Sequence, residues 1–255
     1  MNVIILAAGK GSRLGKISAG KPKCLTEICG KNLIERNLTT FNRFGFNVFL
    51  ITGFESEKLK HLGVQTIHNQ DFRDTNMVWS LYKAIPELEN DCIICYGDIV
   101  ISPSIVATLL EAPFEFAVVS DQSWLEYWTR RFDEPLNDAE SFSINANGDL
   151  VSIGQKVENT HEIQGQYIGL IKVTGVARTQ FKRRLKRFCE DKETSEIAKK
   201  AYMTDFLQML IDEDVLIKPV FIDGRWIEID NPNDIKAAIE SRRLQEIDEE
   251  LEGLR

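Results

Sequence analysis

The stretch "ILAAGKGSRL", residues 5–14, begins as a buried strand and ends as something else. Ile5 and Leu6 continue an apolar run from Val3, and the side chains then shrink at Ala7 and Ala8. Gly9 and Gly11 remove them altogether, and Arg13 follows at once. Bare main-chain N–H groups at the end of a first strand, with a guanidinium beside them, form a setting for phosphate oxygens. The surrounding charge agrees. Residues 1–26 hold no acidic side chain but carry Lys10, Arg13, Lys16, Lys21 and Lys23, in a chain of formal net charge −8.

That negative balance argues against generic nucleic-acid binding. With 255 residues and 43% hydrophobic content the chain can build a sizeable core, and no apolar run approaches the length of a membrane span. The first strand follows Met1 directly, so no signal or transit peptide is expected. Cys24, Cys29, Cys92, Cys95 and Cys189 are too few and too irregular for a disulfide framework, which points to a reducing cytoplasm. Cys92 and Cys95 form a CxxC, but inside the apolar "DCIICY" (91–96) residues three apart fall on opposite faces of a strand. Core packing is the better reading of that pair.

Strand-like and helix-like segments alternate through the first half. Strands are expected near 2–8, 47–52, 63–67, 91–96 and 115–120, and helices near 31–44, 55–61, 76–85 and 102–111. Such alternation implies a largely parallel sheet covered by helices on both faces, a Rossmann-like three-layer α/β/α arrangement. Further on, "SFSINANGDLVSIG" (141–154) reads as a hairpin around Asn147-Gly148, a small β-rich insertion. A strand over 165–173, helices over 176–190 and 202–213, a strand over 215–222 and one charged helix from Asn233 to about Leu251 complete an α/β fold with a mixed sheet. The expected organisation is one domain, with one half over 1–120 and a second half, including the C-terminal helix, over 121–255.

Three kinds of phosphate loop compete for the opening stretch. A dinucleotide fingerprint needs GxGxxG, but the spacing of Gly9, Gly11 and Gly15 is GxGxxxG, and "FLITGF" (49–54) lacks the acidic residue that would hold a ribose. A Walker A loop needs Gly-Lys-Ser/Thr after a longer spacer, and "GKGS" has the wrong order. The third is G-x-G-S-R-L followed about ten residues later by Pro-Lys. Here it stands as Gly9, Gly11, Ser12, Arg13 and Leu14, then Pro22 and Lys23 in "KPKCL". Two more stretches join it. "CIICYGDIV" (92–100) ends a buried strand at Gly97-Asp98, and "WIEIDNPND" (226–234) sets Glu228 and Asp230 before the last helix.

Together these motifs resemble the nucleotidyltransferase superfamily that moves a nucleoside monophosphate from an NTP onto a phosphate, and the resemblance spans nearly the whole chain. "DTNMVWSL" (74–81), "DAESF" (138–142), "IGQKVEN" (153–159) and "EIQGQYIGL" (162–170) are most similar to cytidylyltransferases that activate phosphonates or phosphocholine. The resemblance implies transfer of CMP from CTP to a small phosphonate or phosphate ester, with Mg²⁺ held by Asp98 and Asp230. Sugar-1-phosphate transfer from UTP or dTTP, and a non-catalytic nucleotide-sensing role, stand as the alternatives.

The implied roles are specific. Lys23 would meet the α-phosphate, and Arg13 with the Gly9–Ser12 backbone would hold pyrophosphate. Leu6, Ala7, Ala8, Gly9, Gly11, Ser12 and Gly53 would form the nucleotide site. Asn76 and Ser80, one helical turn apart, would complete it. Lys156, Gln164, Tyr167, Arg130 and Trp226 are expected around the acceptor. Trp79, Trp124, Tyr127, Trp128 and Trp226 supply aromatics for a quaternary-ammonium cage, whereas Arg130 and Arg131 in "WLEYWTRRF" (124–132) suit a more anionic acceptor. His61, His68 and His161 are read as surface or structural. The expected partners are CTP and its acceptor, with neither nucleic acid nor membrane, and a homodimer is compatible with the reading.

Overall fold

The structure, a computed structural model, describes residues 1–253. Its strands in the first half are β1 (Asn2–Ala7), β2 (Glu27–Ile28), β3 (Lys31–Asn32), β4 (Asn47–Thr52), β5 (Gln65–His68), β6 (Cys92–Tyr96) and β7 (Ile99–Ile101). Then come β8 (Phe116–Asp121), β9 (Glu140–Ile144), β10 (Leu150–Lys156), β11 (Gln166–Val173), β12 (Lys218–Ile222) and β13 (Trp226–Glu228). The helices are α1 (Leu33–Asn42), α2 (Met77–Tyr82), α3 (Pro103–Glu111), α4 (Trp124–Arg131) and α5 (Gly175–Glu190), followed by α6 (Ser195–Lys200), α7 (Met203–Asp212), α8 (Pro232–Glu240) and α9 (Arg243–Leu251).

Seven strands form the central sheet in the order β12-β8-β11-β6-β1-β4-β5. Its neighbours run parallel except at β11, which is antiparallel to both β6 and β8. β1 lies in the middle and explains the layering. Val3, Ile5 and Ala7 enter one apolar cluster, with residues of α1, α3, α4, α8 and α9, while Ile4 and Leu6 enter the other, with α2, α5, α6 and α7. Alternate side chains thus bury both faces, and the hydrophobic effect acts on each. Cys95 and Cys92 divide between the same two clusters, so the CxxC is core on opposite faces.

Two expectations need correction. The charged C-terminal segment is not one helix: Arg242 takes a left-handed φ of 65°, and the chain breaks into α8 and α9. The break lets Leu244, Ile247 and Leu251 join the core that already holds Ala237 and Ala238. The segment near 55–61 forms a 3-10 turn over Ser56–Leu62 instead of a full helix. Helices α4 and α6 arise where none was expected. The hairpin does form, as β9 and β10, with Gly148 at φ 74° in its turn. Among the described residues, no helix is long and apolar enough to cross a membrane.

Candidate active site

The carboxyl end of β1 opens onto a cleft walled by Leu6, Ala7, Ala8 and Gly9 on one side and by Phe72, Thr75, Asn76, Met77 and Ser80 on the other. Lys23, Cys24, Gly97 and Asp98 close its base. Close main-chain packing makes this edge. Gly97 donates its N–H to the Leu6 carbonyl at 3.0 Å, and a Cβ there would lie only 2.6 Å from that oxygen. A Cβ at Gly53 would meet the Ala8 carbonyl at 2.8 Å and Phe72 at 2.6 Å. Gly53 therefore supports the wall from behind. Gly11 (φ 68°) crosses the stem of Lys23, and neither it nor Ser12 is on the cleft wall.

The opposite wall is fixed by a residue that motif reading missed. Asn69 is fully buried and donates from Nδ2 to both Thr75 Oγ1 and Ser80 Oγ, each at 3.0 Å. Asn76 caps α2 by accepting the Met77 N–H at 2.9 Å, and its Nδ2 donates to the Lys200 carbonyl at 3.2 Å. Both Asn76 and Ser80 face the cleft, as their one-turn spacing suggests.

The charged groups meet at the cleft base. Lys23 Nζ donates to Asp98 Oδ2 at 2.6 Å and also to Asp230 Oδ1, and Arg13 donates to Asp230 Oδ2 at 2.6 Å. Asp98, Glu228 and Asp230 place one carboxylate oxygen each within 4.8 Å of one another. The convergence does not come from the main sheet. Asp98 and Asp230 flank β7 and β13, a separate antiparallel pair in which the Ile229 N–H donates to the Asp98 carbonyl at 3.0 Å. Burial disfavours the Lys23 ammonium, but Asp98, Asp230 and Glu228 outweigh that and hold its pKa well above the usual lysine range. Burial likewise disfavours the Asp230 carboxylate, yet Lys23 and Arg13 hold it below the usual range. Burial pushes the neighbouring Cys24 thiol up to about 12, so it stays protonated.

Behind this cluster lies a second cation. Arg131 is buried, donates from Nε to Asp234 Oδ1 at 2.9 Å, and its NH2 lies 2.8 Å from Glu228 Oε2. Asp234 Oδ2 in turn accepts the N–H groups of Asp230 (2.7 Å) and Asn231 (2.9 Å). Asp234 was not singled out from sequence. Its signal was legible as the third helical position of an Asn231-capped start to α8, a capping box.

The residues expected around the acceptor do not gather in one place. Lys156 ends β10, exposed and opposite Glu140. Gln164 accepts the Ile144 N–H at 2.6 Å, which ties down the hairpin. Tyr167 packs edge-on against Tyr96, with ring centroids 5.8 Å apart. Arg130 points away to pair with Glu126 at 3.0 Å, on a surface hollow shared with Tyr127 and Arg243. Trp226 is 1% exposed, donates to Asp121 at 2.8 Å and packs edge-on or tilted against Tyr127 and Trp128, so it is a core residue.

Residues 3–200 match the family model of the MobA-like NTP transferase domain. The chain belongs to that family. It is 36% identical over 258 residues to the CTP:phosphoglutamine cytidylyltransferase of Campylobacter jejuni, covering 94% of this chain and all of that one. It is 30% identical to the choline-phosphate cytidylyltransferase of Haemophilus influenzae, over 60% of this chain and 62% of that one. A solved structure of the CTP:phosphocholine cytidylyltransferase from Streptococcus pneumoniae superimposes with a TM-score of 0.73 at 19% identity, covering 94% and 98% of the two chains. Within its family, this chain is a cytidylyltransferase.

Proposed function

We propose that the chain transfers CMP from CTP to an anionic oxygen of a small phosphorylated acceptor and releases pyrophosphate. The observation that carries this is the cleft at the end of β1, which runs from a wall of main chain and methyl groups down to Lys23 and Asp98, with Asp230 paired to that lysine. The acceptor oxygen attacks the α-phosphorus, and the bond from that phosphorus to the β-phosphate's bridging oxygen breaks. An acceptor phosphate has its second pKa near ~6, so it is already anionic at neutral pH and needs no strong general base. The main task is to bring two anions together. Lys23 serves the α-phosphate, Arg13 and the Gly9–Ser12 main chain serve the departing pyrophosphate, and the Ala7–Ala8 edge with Asn76 and Ser80 receives the base.

Asp98 and Asp230, with Glu228 beside them, form the all-oxygen donor set that suits Mg²⁺. Asp98 Oδ1 is buried without a hydrogen-bond partner, which leaves it available as a ligand. Bound there, Mg²⁺ would neutralise and orient phosphoryl oxygens. An amino-acid-linked phosphate is the acceptor class that the full-length match supports. The aromatics support it too: Trp124, Tyr127, Trp128 and Trp226 are buried against one another and leave no open cage for a quaternary ammonium.

Pyrophosphate release is to be measured for the four NTPs crossed with phosphoglutamine, phosphocholine, aminoethylphosphonate and sugar 1-phosphates, with Mg²⁺ present. The highest turnover is expected with CTP and phosphoglutamine. A preference for phosphocholine would overturn the acceptor class alone. A preference for UTP or dTTP with a sugar 1-phosphate would overturn the donor as well, and tight nucleotide binding without turnover would favour a sensing role.

A further inference from the structure

We propose that Arg131 is a positioning residue for the metal-binding carboxylates, acting through Glu228 and Asp234 without touching either substrate. The inference rests on the assignment of Asp98 and Asp230 to Mg²⁺. The side chains of Arg131 and Asp234 are both fully buried, so neither can meet a ligand in the cleft. Their connections nevertheless converge on Asp230. One Asp234 oxygen is held by Arg131, and the other fixes the main chain of Asp230 and Asn231. The guanidinium's NH2 also lies 2.8 Å from Glu228 Oε2, an ion pair without a hydrogen bond, and Glu228 stands two residues before Asp230. By one hydrogen bond and one ion pair, Arg131 thus links the residue that fixes the Asp230 turn to a carboxylate of the acidic cluster.

Stability alone does not call for an ion pair here, since buried pairs replaced whole by apolar groups of similar volume often lose none, although removing one partner leaves the other charge uncompensated. Arg131 lies over the rings of Trp128 (4.8 Å), Phe132 (5.0 Å) and Tyr127 (5.5 Å), so the pair is set against an apolar wall. Asp234 could also cap α8 without help. What a cation between Asp234 and Glu228 supplies is a link from the buried start of α8 to the acidic cluster.

The test compares Arg131→Met and Arg131→Lys with the native protein, each bound to CTP, with Mn²⁺ affinity read by electron paramagnetic resonance. Both variants should bind Mn²⁺ at least about tenfold more weakly, with the Lys variant less affected because it keeps the charge but not the guanidinium. Turnover at limiting Mg²⁺ should fall and recover substantially as Mg²⁺ is raised, with little change in the CTP KM at saturating metal. A purely structural role would lower the thermal midpoint and leave Mn²⁺ affinity unmoved, and native-like Mn²⁺ binding in either folded variant overturns the proposal. If Arg131→Met fails to fold, Arg131→Lys carries the test. The underlying assignment fails separately, if the native complex with CTP takes up no Mn²⁺ or if Asp98→Asn leaves uptake unchanged.

Discussion

From Leu6 to Gly9 the cleft wall is continuous in sequence and consists of main chain, methyl groups and absent side chains. Across the sheet edge, Lys156, Gln164 and Tyr167 come from the hairpin, the segment after it and β11, and each is already engaged differently. On the proposed reading the first region suits a flat base on the Ala7–Ala8 edge and, from Gly9 onward, phosphates that backbone N–H groups read without regard to side chains. If the second region takes the acceptor, as proposed, exposed side chains such as Lys156 can be exchanged for another acceptor while the buried face of the hairpin stays intact. The carboxylate cluster, through Asp98, opens onto the first region, and in the proposed reaction it would serve both substrates.

The severest way to break this division is to remove the shared carboxylates. Asp98→Asn and Asp230→Asn should each abolish measurable pyrophosphate release while preserving the far-UV spectrum and CTP-free stability within about 1 kcal/mol, and the double variant should be scarcely slower than either single one, as for residues acting as a unit. Multiplicative losses would mean that the two groups act independently.

Lys23 sharpens the comparison from the nucleotide side. Lys23→Met should lower kcat at least about a hundredfold, since a preorganised charge aimed at the transition state is worth several kcal/mol. CTP affinity should fall far less, because Arg13 and the glycine backbone remain. The same change should raise Mn²⁺ uptake without nucleotide, because the native ammonium lies between Asp98 and Asp230. Near-native kcat would remove Lys23 from the chemistry.

Local patterns made the nucleotide region legible in sequence. The apolar run of β1, the glycines, and Pro-Lys within one loop all act over a few residues, and the largely parallel sheet followed from β–α alternation. The settings of Gln164 and Trp226, expected around the acceptor, were hidden because their contacts are long-range. Arg130 and Arg131 are neighbours of the same type, yet one is a surface ion pair and the other a buried clamp 97 positions before Glu228. A finer signal existed: Trp124, Tyr127, Trp128 and Arg131 follow the i, i+3, i+4, i+7 spacing of a buried helix face. Read that way, Arg131 is the polar residue on an apolar stripe, and Trp226 is one of its core neighbours. Nothing local marked Arg242 as a break, since that turn is imposed by how α9 packs.

The smallest expected effect tests whether the hairpin belongs to the acceptor alone. Lys156 stands at the end of β10, exposed, on the strand whose partner β9 is held at its far end by Gln164. An exposed ammonium meeting an acceptor phosphoryl or carboxylate group supplies one charge-assisted hydrogen bond, weakened by solvent, so Lys156→Ala should raise the acceptor KM about tenfold. The CTP KM and kcat at saturating acceptor should hardly move, because uniform binding is what is lost. The difference between native and variant should shrink as salt rises from low ionic strength to about 0.5 M, where screening shortens the reach of a surface charge. A rise in the CTP KM with the acceptor KM unchanged would place Lys156 on the nucleotide side and break the division between the two regions at its most exposed point.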